Sequence, residues 1–159
     1  MGGSMRSDPI SELSTDGPSD LRPALAEESL DVLPLATAIL VVEDSAMIAW
    51  TVESFLGQMG FTDIVMASTG EEAVALARKA PPGLIVSDIN LGAGADGIDT
   101  AIAITSDGHI PVLFVSAYAD DAVRQRIASH LPLAGLLCKP VQRDSFQAAV
   151  RNLLAPSAQ

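Results

Sequence analysis

Residues 83–91 read "GLIVSDINL", a short apolar run that ends at an acidic residue, Asp88. The run is nearly continuous in apolar residues, which is typical of a parallel strand covered on both faces. An aspartate that directly follows such a strand lies at its carboxyl end, where the sites of open parallel sheets are found. The stretch therefore predicts a buried strand with a polar site at one edge of a sheet.

Four more apolar runs of this kind occur in the chain. They are "AILVV" (38–42), "IVMA" (64–67), "PVLFVS" (111–116) and "AGLLC" (134–138). A stretch with helical spacing of apolar residues follows each of the five runs, over residues 45–59, 69–80, 97–106, 120–131 and 142–154. Ser45 and Thr69 are predicted N-caps, and Gly60 is a predicted helix stop. The repeat predicts an α/β fold, a (βα)5 doubly wound five-stranded parallel sheet.

Composition and length bound the organisation of the chain. With 159 residues, 48% of them hydrophobic, the sequence fits one domain, predicted over residues 38–155. Residues 1–37 read as an acidic, weakly ordered extension that begins with the cloning-type remnant "MGGSM" and includes a predicted short helix in "PALAEESLDVLPL". Residues 156–159 form a short tail. The single cysteine, Cys138, lies within an apolar run and is predicted to be a buried thiol.

Charge and hydropathy exclude several classes of function. The net charge of −11 and the pI near 4.3 argue against direct binding to nucleic acid, which needs a basic face. No apolar stretch approaches the roughly 20 residues of a membrane span, and the amino terminus lacks the pattern of a signal peptide. We therefore expect a cytoplasmic protein without membrane contact.

Polar residues follow four of the five predicted strands. Glu43 and Asp44 follow the first strand, Asp88 the third, Ser116 the fourth and Lys139, one of two lysines, the fifth. The carboxyl ends of parallel strands share one edge, so we expect these side chains to meet. Crowded carboxylates repel one another unless a cation neutralises them, and Mg²⁺ prefers such oxygen ligands. An Asp carboxylate can itself attack a phosphoryl group.

The motifs "VVEDS", "VSDINL", "FVSAY" and "LCKP", in this order on matching strands, resemble the receiver domain of bacterial two-component response regulators, which has a flavodoxin-like fold. The resemblance spans residues 38–155. It implies that Asp88 is both the phosphoacceptor and a ligand of Mg²⁺, and that Asp44 binds Mg²⁺ directly. Glu43 is implied to act mainly through metal-bound water, and the backbone carbonyl of Asn90 to supply a further contact with the metal.

The resemblance also implies roles for the remaining polar residues, and the sequence departs from the family pattern at one position. Ser116 takes the place of the Ser/Thr that turns toward the phosphoryl group, and Lys139 the place of the invariant lysine, with a cis bond to Pro140. Leu136 stands where receivers commonly carry a switch aromatic. Tyr118, two residues past Ser116, is a substitute candidate for that switch.

The implied function is a signalling phosphoacceptor that is not an enzyme acting on a separate substrate. Its implied partners are a histidine kinase or histidine phosphotransfer protein and a downstream protein of unknown identity. A second copy of the chain, forming a homodimer, is a further possible partner. We expect the kinase to dock near Ala46, Met47 and Pro140. The helices on either side of the fifth strand, with Arg124 and Arg126, are the expected contact for the downstream partner.

Two other functions compete with this one. A Mg²⁺-dependent phosphatase of the dehalogenase-like type carries its nucleophile and acid two residues apart after the first strand, but the chain has Glu43, Asp44 and Ser45 there. A nucleotide-binding loop is suggested by "GAGADG" (92–97), which matches G-x-G-x-x-G. Asp96 within that loop would repel a pyrophosphate, and the acidic residue expected about 20 residues later is missing.

Overall fold

The computed structural model describes residues 33–92, 94–106 and 109–155. The chain from Pro34 onward is one compact unit. Within the predicted extension, residues 34–37 form a turn in which the Thr37 N–H donates to the Pro34 carbonyl at 2.8 Å. The predicted short helix lies largely outside the described residues, and so does the tail 156–159.

Five strands alternate with five helices along the chain. The strands are β1 (Ile39–Val42), β2 (Ile64–Ala67), β3 (Leu84–Asp88), β4 (Val112–Ser116) and β5 (Gly135–Cys138). The helices are α1 (Ala46–Met59), α2 (Gly70–Lys79), α3 (Gly97–Thr105), α4 (Asp121–His130) and α5 (Arg143–Leu154). Four of the five strands begin one residue later than their apolar runs, and β3 extends to include Asp88.

The strands form one sheet in the order β2-β1-β3-β4-β5, and every neighbouring pair is parallel. The predicted fold class is therefore confirmed. The chain leaves β1 for β2 on one side and then crosses back over β1 to reach β3 on the other side. This reversal opens a crevice at the carboxyl ends of β1 and β3, the usual place for a site in an open α/β sheet.

Burial follows the position of each strand in the sheet. All residues of β1, β3 and β4 are buried, whereas the edge strands β2 and β5 are partly exposed. One face of the sheet packs against α2, α3 and α4 through a single apolar cluster. On the other face α1 contacts α5, with the rings of Phe55 and Phe146 5.8 Å apart and Gln147 Nε2 donating to the Phe55 carbonyl at 3.0 Å.

The predicted helix ends are present in the structure. The Ser45 side chain accepts a hydrogen bond from the Ile48 N–H, and Thr69 Oγ1 accepts one from the Glu72 N–H at 3.0 Å. Such bonds satisfy N–H groups that have no partner within the helix. Gly60 ends α1 with a φ of 107°, a left-handed conformation that glycine adopts without steric cost.

The prediction for Cys138 was wrong, because this thiol is exposed. Cys138 is the last residue of β5, and no strand of the described sheet pairs with the outer side of β5. An apolar run at the edge of a sheet looks like a central strand in sequence, but it has a neighbour on only one side. Within the described ranges, no helix combines the length and apolar character that a membrane span requires.

Candidate functional site

Glu43 and Asp44 lie where β1 ends and α1 begins. Glu43 is buried, and its Oε2 accepts a hydrogen bond from the Ser45 N–H at 3.2 Å. Burial raises the pKa of the Glu43 carboxyl above its usual value, and the nearby charge of Asp88 adds to the increase, while the Ser45 N–H and Lys139 oppose it. Asp44 is exposed at the mouth of the crevice. The turn thus offers one buried and one accessible carboxylate.

Asp88 is the last residue of β3, and its side chain is only 7% exposed. Its Oδ1 accepts a hydrogen bond from the Asn90 N–H at 3.2 Å, and its Oδ2 accepts one from Lys139 Nζ at 2.9 Å. Both carboxylate oxygens therefore have a donor. The carboxylate is held in one orientation at the floor of the crevice.

Lys139 reaches this carboxylate from the end of β5. Its backbone N–H donates to the Ser116 carbonyl at 2.8 Å, and its peptide bond to Pro140 is cis, as the resemblance implies. The Nζ atom also lies 3.3 Å from Glu43 Oε1. Burial lowers the pKa of Lys139, but hydrogen bonds and charges from Asp88 and Glu43 outweigh it and raise the pKa above its usual value.

The three acidic residues are arranged as a cation site requires. Glu43, Asp44 and Asp88 each present one carboxylate oxygen, and these oxygens lie within 4.8 Å of one another. Three carboxylates face a single ammonium group here, so a bound cation would relieve the remaining repulsion. Hard oxygen ligands at this spacing fit Mg²⁺. The residues present therefore fit the metal, while the role of the Asn90 carbonyl stays a prediction.

Ser116 ends β4 beside Asp88 but is bonded elsewhere. Its buried hydroxyl donates to the Tyr118 carbonyl at 2.9 Å and accepts from the Tyr118 N–H at 3.3 Å. The Tyr118 ring is 71% exposed. Leu136, at the expected switch position, is partly buried and packs against the apolar cluster under α2, α3 and α4. Neither switch candidate contacts the three carboxylates through a hydrogen bond.

One pair of residues close to the site was missed in the sequence. Asp96 was considered only as part of the glycine-rich loop, and Arg126 only as a surface residue. In the structure the Arg126 guanidinium binds the Asp96 carboxylate through two hydrogen bonds of 2.8 and 3.3 Å. The two residues are 30 positions apart, and no local pattern links them.

Comparison with known proteins agrees with this geometry. The family model described as "Response regulator receiver domain" matches residues 39–151. The phyllosphere-induced regulator PhyR of Methylorubrum extorquens is 33% identical over 121 residues, which are 76% of this chain and 44% of PhyR. The chain thus spans less than half the length of this curated relative.

Solved structures give the same result. A doubly substituted mutant of the anti-anti-sigma factor PhyR from Bartonella quintana has a TM-score of 0.66 at 29% identity, covering 85% of this chain and 55% of that one. The chemotaxis protein CheY4 of Vibrio cholerae has a TM-score of 0.68 at 24% identity, covering 75% and 99% of the two chains. At that identity the CheY4 match supports the fold alone. None of these similarities supports a dehalogenase-like phosphatase.

Proposed function

The chain belongs to the response regulator receiver family, and we propose that Asp88 is its phosphoacceptor. The observation that carries the proposal is the contact between Lys139 Nζ and Asp88 Oδ2 at 2.9 Å, deep in a crevice shared with Glu43 and Asp44. A buried carboxylate that is oriented by two donors and faces an open acidic cluster has the properties of a nucleophile prepared for a phosphoryl group. A purely structural ion pair would not need the exposed Asp44 beside it.

In the proposed reaction an Asp88 oxygen attacks the phosphorus of a phosphohistidine on a partner. A P–O bond forms, the P–N bond breaks, and the electron pair stays on the imidazole nitrogen, which takes up a proton. If held by Glu43, Asp44, Asp88 and the Asn90 carbonyl, Mg²⁺ would supply positive charge for the phosphoryl oxygens. Lys139 supplies a further positive charge next to the attacking carboxylate.

We infer that Ser116 reports the phosphorylation. Its hydroxyl is bonded to the Tyr118 backbone on both its donor and acceptor sides. A charge-assisted bond to a phosphoryl oxygen is roughly twice as strong as such a neutral bond, so the hydroxyl is expected to turn toward the phosphoryl group. The loop from Ser116 to α4 then loses the bond that the hydroxyl donates to the Tyr118 carbonyl and adopts a second arrangement.

The proposed kinase or phosphotransfer partner docks on the amino end of α1. Met47 is 75% exposed and Trp50 65% exposed there, next to Asp44. Two large exposed apolar side chains one turn apart on a helix are typical of an anchor for a partner. This extends the predicted docking face, Ala46, Met47 and Pro140, by one helical turn. A cytoplasmic location is part of the same proposal, because histidine kinases present their phosphohistidine there.

The first experiment is incubation with Mg²⁺ and acetyl phosphate, followed by intact mass. We expect one phosphoryl adduct in the natural sequence and none in Asp88→Asn. Asp144→Asn is the matched control, because this acid is 89% exposed and pairs only with Arg143 among the described residues. An adduct that persists in Asp88→Asn, or one that forms equally without Mg²⁺, contradicts the proposal.

A second candidate concerns the output. The solved PhyR from Bartonella quintana is described as an anti-anti-sigma factor, and its likeness covers 85% of this chain, against 75% for CheY4. We infer that this receiver controls the binding of an anti-sigma factor. The test is a titration of the protein with an anti-sigma factor from the same genome, with and without phosphorylation. Equal affinity in both states contradicts the inference.

A further inference from the structure

The amino end of α3 is built around Asp96. This residue is the N-cap of α3, and its Oδ1 accepts a hydrogen bond from the Asp99 N–H at 2.8 Å. Its backbone carbonyl accepts bonds from the Thr100 N–H at 3.0 Å and from the Thr100 hydroxyl at 2.8 Å. The position of Asp96 therefore fixes the first turn of the helix.

A single guanidinium from α4 holds this turn. Arg126 donates from both terminal nitrogens to the two oxygens of Asp96, and it also contacts Asp99 Oδ1. Partial burial raises the pKa of Asp96, but the hydrogen bonds from Arg126 and from backbone N–H groups outweigh it and hold the pKa below its usual value. A fork-like pair of this kind fixes orientation as well as distance.

The same turn lies directly against the backbone of the phosphoacceptor. The Gly97 N–H donates to the Ile89 carbonyl at 2.7 Å. A Cβ atom placed on Gly97 would lie 1.8 Å from the Asp88 carbonyl oxygen, so the helix and the end of β3 are in backbone contact. A continuous path of hydrogen bonds and packing thus runs from Arg126 through Asp96 and Gly97 to Asp88.

Few other contacts hold α4 in place. Ile127 is the one buried residue of this helix, and Val123 is partly buried. With so little apolar burial, the polar contact between Arg126 and Asp96 carries a large share of the attachment of α4 to α3. A partner that moves α4 would therefore also displace the first turn of α3, which packs against the backbone of Asp88.

We propose that Arg126 is a positioning residue for phosphoryl transfer at Asp88. It acts through Asp96 by fixing the amino end of α3, and it touches neither the donor nor the metal ligands. The inference rests on the proposed function, because it concerns the rate at which Asp88 accepts a phosphoryl group. Without Arg126 the backbone of Asp88 samples more positions, and the carboxylate spends less time aligned for attack.

The test compares Arg126→Gln with Arg124→Gln. Arg124 lies on the same helix and is exposed, and among the described residues its side chain donates only to the Ala119 carbonyl. Each of the two variants removes one positive charge from α4. Partly exposed ion pairs contribute up to about 1 kcal/mol, so we expect the limiting rate of phosphorylation by acetyl phosphate to fall about two- to fivefold in Arg126→Gln only. The half-saturating concentrations of Mg²⁺ and acetyl phosphate should not change.

Three further variants separate positioning from general damage. Asp96→Asn keeps the N-cap of α3 but weakens the pair, so its rate should fall by a similar factor. The double variant Arg126→Gln with Asp96→Asn should be no slower than the slower single variant, because the pair acts as a unit. Arg126→Lys should recover part of the rate. Equal limiting rates in Arg126→Gln and Arg124→Gln, or additive losses in the double variant, overturn the proposal.

A measurement without phosphate separates this inference from the proposed function. The Gly97 amide, bonded to the Ile89 carbonyl, should exchange with solvent about two- to fivefold faster in Arg126→Gln than in Arg124→Gln, as followed by NMR. Unchanged exchange overturns the positioning role. A natural protein that forms no adduct on Asp88 overturns the proposed function and the rate claim, while the exchange result still decides whether Arg126 holds this turn.

Discussion

Replacing Lys139 by methionine is expected to destabilise the protein by about 2–3 kcal/mol at pH 7. Glu43 and Asp88 are 4% and 7% exposed in their side chains, and Lys139 Nζ contacts both, at 3.3 and 2.9 Å. Removing one partner of a buried ion pair costs about 3–5 kcal/mol because the other charge stays buried. We take a lower value because the Lys139 side chain is 16% exposed. Methionine keeps most of the apolar stem, so the loss reports on charge.

The assay is urea unfolding with Lys79→Met as the matched control, because Lys79 is the other lysine and is exposed at the end of α2. In Lys139→Met the pKa of Glu43, which burial already raises, rises further, so the folded state binds more protons than the unfolded state as the pH falls. The deficit should therefore shrink as the pH falls from 7 to 5, and it should also shrink on adding Mg²⁺. Adding Asp88→Asn should restore part of the stability. A loss no larger than that of Lys79→Met refutes the reasoning.

Three further predictions test other parts of the structure. Gly97→Ala should lower the free energy of unfolding by at least about 2 kcal/mol, because the new methyl group meets a backbone carbonyl. Gly57→Ala should raise it by about 0.5–1 kcal/mol, because a Cβ at Gly57 has no atom within 4 Å. Equal effects of the two substitutions in urea unfolding contradict this prediction. Asp96 has a pKa below its usual 3.8, so its ion pair stabilises the fold above that pH and the stabilisation is lost as the pH falls through the lowered value. The stability difference from Asp96→Asn should be at most about 1 kcal/mol at pH 6 and should decrease in urea unfolding as the pH falls below 3.8. Asp44→Asn should weaken Mg²⁺ binding at least about tenfold, as measured by calorimetry. It should leave the free energy of unfolding unchanged, because the Asp44 carboxylate is exposed. An unchanged affinity for Mg²⁺ would show that Asp44 is not part of the metal site.

The sequence predicted the fold and the meeting of the three acidic residues with Lys139 because both follow from order along the chain. Five nearly continuous apolar runs separated by helices allow few topologies other than a doubly wound sheet. Once that sheet is assumed, residues that follow its strands must share an edge. Lys139 and Asp88, 51 positions apart, were paired for this reason, and the structure places them in contact.

Features that depend on neighbours in space were not predicted. Cys138 was expected to be buried because its run resembles those of β3 and β4, but strand order makes β5 an edge, and the sequence of one strand does not reveal how many strands flank it. The pair of Arg126 with Asp96 joins the amino end of one helix to the middle of the next. Helical periodicity identifies which face of α4 is apolar, but not which acid its arginine meets.

Leu136 and Tyr118 together constrain how the proposed phosphorylation of Asp88 would change the surface. An aromatic switch works by moving a ring between an exposed and a buried position, but the Tyr118 ring is exposed while Ser116 is still bonded to the Tyr118 backbone. Leu136 already packs against the apolar cluster and carries no ring that could move between two such positions. Under the proposed function we therefore expect the output to come from the backbone of residues 116–118 and from α4. This helix is suited to that role because Ile127 is its one buried residue and its Arg126 pairs with Asp96 and Asp99 at the amino end of α3.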